Sequence, residues 1–188
     1  DPQCFETSAV PFYLSLKIGV ISMTYCKQIP LPVLEADIEK IKFFYKNGYK
    51  LFSERQIDNP YWKSFNLITN SKISPVSQNL KCITSWLKLI QEHTGIKNIK
   101  NCYISVLKPK CAIPWHTDAE GEKFTSSFIT SISTDKSFLE VDNIKYTYKN
   151  GYSYIFRAGF SHRVLNLNDD LRITLCTTPE ENPYRKEK

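Results

Sequence analysis

The sequence predicts a mostly β domain, a sandwich or barrel, with α-helices packed against it from the N-terminal side. Three observations predict this fold class. The chain has 188 residues, 41% of them hydrophobic, which is enough to bury the core of one domain. After residue 100 it contains seven short runs rich in β-branched and aromatic residues, separated by turn signals. Before that residue, two segments show the spacing of one-faced helices.

The first helical segment covers residues 30–48. Pro32 suits the first helical position, acidic residues follow it in the first turn, and Gly48 can form the C-cap. This pattern predicts a helix whose apolar face must be covered by a sheet or by another helix. The apolar positions recur at helical spacing and are Leu34, Ile38, Ile41 and Tyr45.

The second helical segment covers residues 75–95 and shows the same pattern more strongly. Gly95 ends it. His93, near that end, is interpreted as a surface residue whose charge suits the helix dipole. The apolar positions follow each other at spacings of three and four and are Val76, Leu80, Ile83, Leu87 and Ile90.

The runs after residue 100 predict the strands of the β core. The tripeptide "KNG" at 149–151 joins two Tyr-rich runs as a hairpin turn would. The stretch "IPWHTD" at 113–118 also has the character of a strand. The seven runs are "YISVLK", "FTSSFITSIS", "SFLEV", "IKYTY", "YSYIFRA", "HRVLNL" and "LRITLCT".

No linker, internal repeat or low-complexity tract separates the helices from the β core. We therefore expect one domain, and we give no function to the segment before Met23, the only methionine of the chain. The predicted organisation is an N-terminal extension at 1–22 and a single domain at 23–188, with a helical buttress at 30–95, a β core at 100–178 and a polar tail at 179–188.

The charge balance is basic but does not favour a nucleic-acid partner. The formal net charge is +6, from 25 Lys and Arg against 19 Asp and Glu. Lysine supplies most of the positive charge, and Asn, Ile, Tyr and Phe are also plentiful, a bias typical of A+T-rich coding. No RGG, RNP-like or Cys/His module accompanies the lysines. Nucleic acid stays an alternative partner, and a solvated basic surface is the preferred interpretation.

Six cysteines are scattered along the chain without a CxxC pair or other zinc spacing. This pattern is typical of reduced thiols in an intracellular protein, and we expect a cytoplasmic location. Cys176 falls in a strand-like run, where a buried, unreactive thiol is expected. No apolar run reaches the roughly 18 to 20 residues that a membrane span needs, so no membrane partner is predicted. The oligomeric state is not predicted.

A histidine and an aspartate two residues apart occur in "IPWHTDAEGEKF". On a strand, His116 and Asp118 would face the same way, with Thr117 opposed. Two ligands hold a divalent metal only weakly, and the only other histidine of the β region is His162, in "AGFSHRVLNL". Two imidazoles and one carboxylate, with open positions left for other ligands, form the ligand set of non-haem Fe(II) oxygenases. We therefore predict that His116, Asp118 and His162 bind Fe(II).

Arg172 follows His162 by ten residues and predicts an anchor for a dicarboxylate co-substrate. Arg172 and Thr174 share one face of a strand, opposite three apolar residues. An arginine that points into a small barrel needs an anionic partner, because an unpaired buried charge is costly. A carboxylate held by the guanidinium and the threonine hydroxyl would supply that partner. The alternative is a structural salt bridge of Arg172 with Asp169 or Asp170.

Taken together, these motifs resemble those of the Fe(II)- and 2-oxoglutarate-dependent oxygenases, which have a double-stranded β-helix (jelly-roll, cupin-like) fold. Within that superfamily the segment at 102–178 is most similar to the aspartyl/asparaginyl β-hydroxylase family. That family shows Pro-x-His, then Gly-x-x-x-x-Phe, His-x-Val-x-Asn and an arginine on the final strand. The matching residues are Pro114, His116, Gly151, Phe156, His162, Val164, Asn166 and Arg172.

The sequence departs from the family at one position. The family carries a further arginine about nine residues after the first histidine, which helps to hold the co-substrate. Thr125 occupies that position here. The residues that can replace the arginine are Lys123, Ser126 and Ser127.

The resemblance implies a dioxygenase that uses Fe(II), 2-oxoglutarate and O₂. The expected reaction is hydroxylation of an amino-acid side chain, peptidyl or free, of the aspartyl/asparaginyl or prolyl type. Two alternatives stay open. One is a 2-oxoglutarate oxygenase that acts on a nucleobase or a small metabolite, and the other is a non-catalytic cupin-like binding module.

Overall fold

The computed structural model describes residues 26–30, 35–55, 59–80, 84–85, 87–88, 91–92, 97–118, 126–133, 136–148, 152–157 and 159–180. These residues contain one complete α-helix, α1, at Glu35–Gly48. They also contain twelve strands, which are β1 (Cys26–Pro30), β2 (Ser53–Glu54), β3 (Trp62–Thr69), β4 (Lys72–Ile73), β5 (Ile99–Leu107), β6 (Ala112–His116), β7 (Ser126–Ser133), β8 (Ser137–Val141), β9 (Ile144–Thr147), β10 (Tyr152–Arg157), β11 (His162–Asn166) and β12 (Arg172–Pro179).

Within the described residues, the strands form two antiparallel sheets. The larger sheet has the order β1-β10-β7-β12-β5-β3-β2, with β4 paired to β3, and the smaller has the order β6-β11-β8-β9. The chain crosses repeatedly between the two sheets, as in a jelly roll, where two sheets share one core. The predicted class, mostly β with a double-stranded β-helix core, is confirmed.

Two apolar clusters cover the two faces of the larger sheet. One lies between α1 and the sheet and includes Ile41, Leu67 and Ile104. The other lies between the two sheets and includes Leu139, Phe156 and Val164. Strand β12 contributes to both clusters and is buried along nearly its whole length. Side chains on the inner face of β12 therefore project into the space between the sheets.

The first predicted helix forms, and its predicted stripe faces the core. Ile41 is fully buried and Tyr45 packs beside it, while the earlier stripe residues lie outside the described side chains. The helix ends at Gly48, whose φ of −110° is not the left-handed conformation of a glycine cap. A 3₁₀ turn at Tyr49–Leu51 continues the chain instead.

The second predicted helix starts later than the sequence pattern indicates. Pro75–Asn79 form a 3₁₀ turn, and Leu80 at its end has non-helical φ and ψ of −100° and 67°. The α-helical residues described after it are 84–85, 87–88 and 91–92. Leu80 and Leu87 still pack against the core as predicted, whereas His93 and Gly95 lie outside the described residues.

The assignment of 30–95 to a helical buttress was wrong for its middle part. Strand β3 lies there and pairs with β5 through six registered positions from Trp62 to Ile68. Lys63, Ser64 and Asn66 break its apolar pattern, and a register shift after Asn66 moves the alternation by one residue. Strand β1 was also not predicted; it pairs with β10 at the edge of the sheet.

The predicted hairpin at "KNG" was wrong as well. Strand β9 pairs with β8 in the smaller sheet, whereas β10 pairs with β1 and β7 in the larger sheet. The segment at 149–151 lies outside the described residues, but the strands on either side of it are not partners. Local turn residues indicate a change of direction and do not specify which strands pair afterwards.

The described cysteines are buried thiols without disulfides, and Cys176 is one of them, as predicted. Among the described residues, no helix combines the length and the apolar character that crossing a bilayer requires.

Candidate active site

Strand pairing brings the two predicted histidine ligands together. In the antiparallel pair of β6 and β11, His116 lies directly opposite His162. Directly opposed side chains share a face of the sheet, and here the two imidazole centroids are 4.2 Å apart. Strand pairing thus brings together two histidines that are 46 positions apart in the sequence.

Asp118 joins the two histidines from a bend rather than from the strand. Strand β6 ends at His116, and Asp118 lies two residues beyond it. Its Oδ1 is 3.4 Å from His116 Nε2, and its Oδ2 is 3.7 Å from His162 Nε2. The predicted shared orientation of His116 and Asp118 is therefore present, although strand alternation is not what produces it.

Both imidazoles have the same fixed tautomer. His116 Nδ1 lies 2.8 Å from the carbonyl oxygen of Pro114, and His162 Nδ1 lies 2.9 Å from that of Phe160. A carbonyl oxygen only accepts, so each Nδ1 carries its proton and donates it. The Nε2 lone pairs are left free and point toward Asp118, which is the usual outer-shell arrangement of metal-binding histidines.

The electrostatics of Asp118 and His162 favour metal binding near neutral pH, whereas those of His116 favour its protonated form. Burial raises the pKa of Asp118, but its contacts with the two imidazoles outweigh this and hold the pKa below the usual value. Burial lowers the pKa of His162. Burial also lowers the pKa of His116, but hydrogen bonds with Asp118 and the Pro114 carbonyl raise it above its usual value. Near neutral pH Asp118 is thus ionised and His162 is neutral.

The three donor atoms fit a divalent iron. Ligand atoms of His116, Asp118 and His162 all lie within 4.8 Å of one another. Cis ligands of an octahedral ion with bonds of about 2.1 Å are roughly 3 Å apart, so small side-chain movements complete the site. Two nitrogens and one carboxylate are the donors that non-haem Fe(II) takes, with positions left open.

Apolar side chains surround the triad. The rings of Phe156 and His162 pack edge to face with 5.0 Å between their centroids, and the ring centroids of Trp62 and His116 are 5.9 Å apart. Trp62 Nε1 donates to Ser105 Oγ at 2.9 Å, which fixes the indole. A small cavity of about 30 Å³ lies between these residues and extends to Arg172. The walls limit the access of water to the space beside the donor atoms.

Arg172 is the only fully buried cation in the described part of the chain, and it has no acidic partner there. It is 1% exposed, and its Nε and Nη2 have no hydrogen-bond acceptor. The alternative salt bridges are absent, because Asp169 pairs with Lys110 at 2.9 Å and Asp170 lies 3.8 Å from Lys42. A buried, uncompensated guanidinium that lines the same cavity as the triad fits an anionic ligand such as a 2-oxo dicarboxylate.

Thr174 shares the inner face of β12 with Arg172, as predicted, and is fully buried. Its Oγ1 lies 3.6 Å from Cys176 Sγ, and it does not line the cavity. A role of its hydroxyl in holding the co-substrate stays a prediction.

Tyr148 is a residue that the sequence analysis missed. Its ring lies under the guanidinium of Arg172, with 4.5 Å between Cζ and the ring centroid. It follows β9 in "IKYTYKNG", outside the motifs that carry the resemblance, and tyrosine is common in this chain. Only the packing of the two sheets places it beside β12.

A larger cavity of about 360 Å³ adjoins the triad on the side away from Arg172. Tyr103 and Asp118 line both cavities, and Arg55 stacks on the Tyr103 ring with its Cζ 4.2 Å from the centroid. The other lining residues are mostly polar and are Asn66, Ile68, Thr69, Lys100, Asn101 and Thr178. Asp118 and Tyr103 thus connect the metal site with a polar space beside it.

Two other motif residues lie outside the reacting space. Trp115 is 40% exposed, and the Cζ of Arg163 lies 5.0 Å from the centroid of its ring. Trp115 is one residue before His116, on the opposite face of β6. Asn166 is fully buried and bonds to loops rather than to the cavity.

Comparisons with known proteins agree with this geometry. A family model described as "Aspartyl/Asparaginyl beta-hydroxylase" matches residues 31–180. No curated protein sequence matches the chain.

Several solved structures share the fold at low sequence identity. A prolyl-4-hydroxylase from Pseudomonas putida has a TM-score of 0.57 at 11% identity, covering 86% of this chain and 95% of that one. The viral collagen prolyl hydroxylase of Paramecium bursaria Chlorella virus-1, in complex with 2OG, has a TM-score of 0.58 at 12% identity, covering 85% and 98%. A Trichoplax adhaerens prolyl hydroxylase, bound to a hypoxia-inducible-factor peptide, has a TM-score of 0.56 at 11% identity, covering 85% and 84%.

The family match covers well over half of the chain and includes the triad and Arg172. The similar structures independently agree on the fold. The chain therefore belongs to the aspartyl/asparaginyl β-hydroxylase family and is a 2-oxoglutarate-dependent non-haem iron dioxygenase with Fe(II), 2-oxoglutarate and O₂ as its cofactors.

Proposed function

We propose that the protein hydroxylates an amino-acid side chain of the aspartyl or asparaginyl type, with His116, Asp118 and His162 as iron ligands and Arg172 as the co-substrate anchor. One observation carries the proposal. Three metal-binding donors and an unpaired buried guanidinium line the same cavity, about 30 Å³ in volume. The metal-binding donors lack a metal and the buried guanidinium lacks an anion, and both conditions are unfavourable. Bound iron would supply the metal, and 2-oxoglutarate would supply the anion.

The residues of the site have distinct tasks in this proposal. When bound, Fe(II), 2-oxoglutarate and O₂ would supply the oxidising power, with succinate and CO₂ as the products of 2-oxoglutarate. The Pro114 and Phe160 carbonyls hold both imidazoles in the metal-binding tautomer. Arg172 orients 2-oxoglutarate by binding the distal carboxylate of that co-substrate. Trp62 and Phe156 keep water from the reacting atoms.

The substrate type is argued from the larger cavity. Its volume of about 360 Å³ lies at the lower end of the range for small-ligand sites. Arg55 and Lys100 have no ion pair among the described residues, and Asn66 and Asn101 add amide groups. A carboxylate or amide side chain, with its peptide groups, would pair with these polar groups. A prolyl ring would cover the exposed Arg55 and Lys100 without offering them an acceptor, and covering polar groups without a partner is unfavourable.

The test is succinate release under aerobic conditions with Fe(II) and 2-oxoglutarate. The wild type is expected to release succinate, and aspartyl or asparaginyl peptides are expected to stimulate the release more than prolyl peptides do. His116→Ala is expected to abolish turnover, because two ligands do not retain the iron. The matched control is His93→Ala, which removes the only histidine outside the triad.

Equal succinate from the wild type and from His116→Ala would exclude the proposed metal site. Metal and 2-oxoglutarate binding without any turnover would indicate a non-catalytic binding module. Stimulation by nucleosides or free metabolites, with none by peptides, would reassign the substrate.

A further inference from the structure

A tight hairpin borders the larger cavity. Strands β3 and β4 are joined there by Asn70 and Ser71, whose φ values of 47° and 64° are both left-handed, as in a type I′ turn. The Asn70 N–H donates to the side-chain oxygen of Asn101 at 3.0 Å, and the Ser71 N–H donates to the Lys100 carbonyl at 2.8 Å. These two hydrogen bonds fasten the turn to β5, so this side of the cavity is a fixed part of the fold.

Two lysines flank this turn, and neither has an ion pair in the part of the chain that the structure describes. Lys100 is exposed and lines the cavity. Lys72 is exposed on β4, directly opposite Thr69, which also lines the cavity. Directly opposed side chains share a face of the sheet. Among the described residues, the only acidic side chain that lines this cavity is that of Asp118, a proposed iron ligand. The hairpin end therefore presents positive charge without a counter-charge.

The lysines lie at the end of the cavity that the hydroxylated side chain does not occupy. Tyr103 lines both cavities and marks their junction beside the triad. Lys100 precedes Tyr103 by three residues on β5, which is about 10 Å at the rise of a strand. A target side chain held at the iron leaves the lysine end to another part of the substrate. An extended peptide rises by the same distance per residue, so its residue about three positions from the target would lie at that end.

We propose that Lys100, with Lys72 beside it, binds an acidic side chain of the substrate peptide about three positions from the hydroxylated residue. This inference rests on the proposed function and narrows the substrate to peptides in which the target has an acidic neighbour. A free amino acid would reach only one end of the cavity, so a peptide is the favoured substrate. The positive charge also attracts such a peptide from solution and speeds its association.

The test measures succinate release with a neutral host peptide of Gly, Ser and Ala that contains one aspartyl or asparaginyl target. A single glutamate is placed at successive positions on either side of the target, and glutamine at the same position is the reference. Glutamate about three positions away, on one side, is expected to lower KM roughly two- to tenfold, because exposed ion pairs contribute modestly. The value of kcat is expected to stay the same, and about 0.5 M salt is expected to remove the difference in KM.

Lys100→Glu reverses the charge at the proposed contact. This variant is expected to prefer a peptide with lysine in place of the preferred glutamate. Lys97→Glu is the matched control, because it makes the same change of charge at an exposed side chain that does not line the cavity. The control is expected to keep the preference of the wild type for glutamate.

A wild type that turns over the peptides without distinguishing glutamate from glutamine at any position would overturn the inference and leave the proposed function intact. The same loss of preference in Lys97→Glu as in Lys100→Glu would overturn it too, since net charge rather than a contact would then be the cause. A wild type that releases no succinate with any peptide would overturn the proposed function and this inference together.

Discussion

At the scale of single residues, the triad is ready for a metal before the metal arrives. His116 and His162 each donate Nδ1–H to a carbonyl two residues earlier in the chain. Neither ring needs to change tautomer or rotate to present Nε2, so little conformational entropy is lost on binding. Asp118 differs, because it lies in a bend and is partly exposed. Of the three proposed ligands, Asp118 is therefore expected to have the most freedom to move.

Metal affinity is expected to fall as the pH falls through the pKa of His116. A proton and the metal compete for Nε2, and the hydrogen bonds with Asp118 and Pro114 raise this pKa above its usual value. The competition therefore begins at a higher pH than for an ordinary histidine. For His162 burial lowers the pKa, so this ligand competes only at lower pH. Mn(II) titrations by calorimetry between about pH 5.5 and 8 measure the effect.

His93→Ala is the control for this pH series and is expected to give the same profile as the wild type. An affinity that does not change across the whole series would contradict a role for His116 as a ligand.

At the scale of elements, Asn166 fixes the strand that carries His162. Its Nδ2 donates to the carbonyls of Leu107, Lys108 and Asp170. Its Oδ1 accepts from Ser137 Oγ, and also from the backbone N–H and the side chain of Asn168. One amide thus joins the ends of β5, β8 and β11 and the loop before β12. In the family motif His-x-Val-x-Asn, the asparagine is here a structural residue.

Asn166→Ala is expected to destabilise the fold by roughly 2–4 kcal/mol, because several buried groups lose their partners at once. Urea unfolding measures the change. Asn47→Ala is the control; the exposed Asn47 side chain donates to the Phe43 carbonyl within α1, and its loss is expected to cost well under 1 kcal/mol. A loss below about 1 kcal/mol for Asn166→Ala would contradict the structural role.

The elements also show where sequence patterns are sufficient. The strands from β7 to β12 were predicted close to their bounds, since each is a short run of β-branched and aromatic residues between turn residues. The connection from β9 to β10 was assigned to a hairpin and joins different sheets. This error concerns which strands pair, and a local pattern contains no information about that.

At the scale of the whole molecule, one strand of the larger sheet, β12, contributes side chains to both cavities. Along β12 the side chains run from Arg172 and Cys176, which line the small cavity beside the triad, to Thr178, which lines the larger cavity. Arg172 is fully buried, whereas Thr178 is half-buried. In the proposed function, the co-substrate end would therefore be buried and the substrate end accessible.

Arg172→Met is expected to stabilise the ligand-free protein while abolishing 2-oxoglutarate binding. Replacing a buried charge that has no acidic partner among the described residues with an apolar side chain of similar length is expected to add about 1–4 kcal/mol. The wild type should gain about 2.7 kcal/mol at a 2-oxoglutarate concentration of a hundred times Kd, and the variant should gain nothing. Thermal unfolding of the metal-loaded protein, with and without 2-oxoglutarate, measures both effects.

Arg163→Met is the matched control, because Arg163 lies on the outer face of the smaller sheet against Trp115. It is expected to keep the full 2-oxoglutarate gain. An Arg172→Met variant that 2-oxoglutarate still stabilises would assign the arginine to the fold.

The sequence by itself determined the class of fold, and it predicted two histidines and one aspartate as metal ligands and an anionic partner for Arg172. These depend on residue type, order and strand periodicity, which are local properties. Only the tertiary structure decided that His116 lies opposite His162, that Asp169 and Asp170 leave Arg172 unpaired, and that Tyr148 lies under its guanidinium. Those facts depend on how two sheets pack together, and contacts between distant strands are set by the burial of the whole core rather than by any one segment.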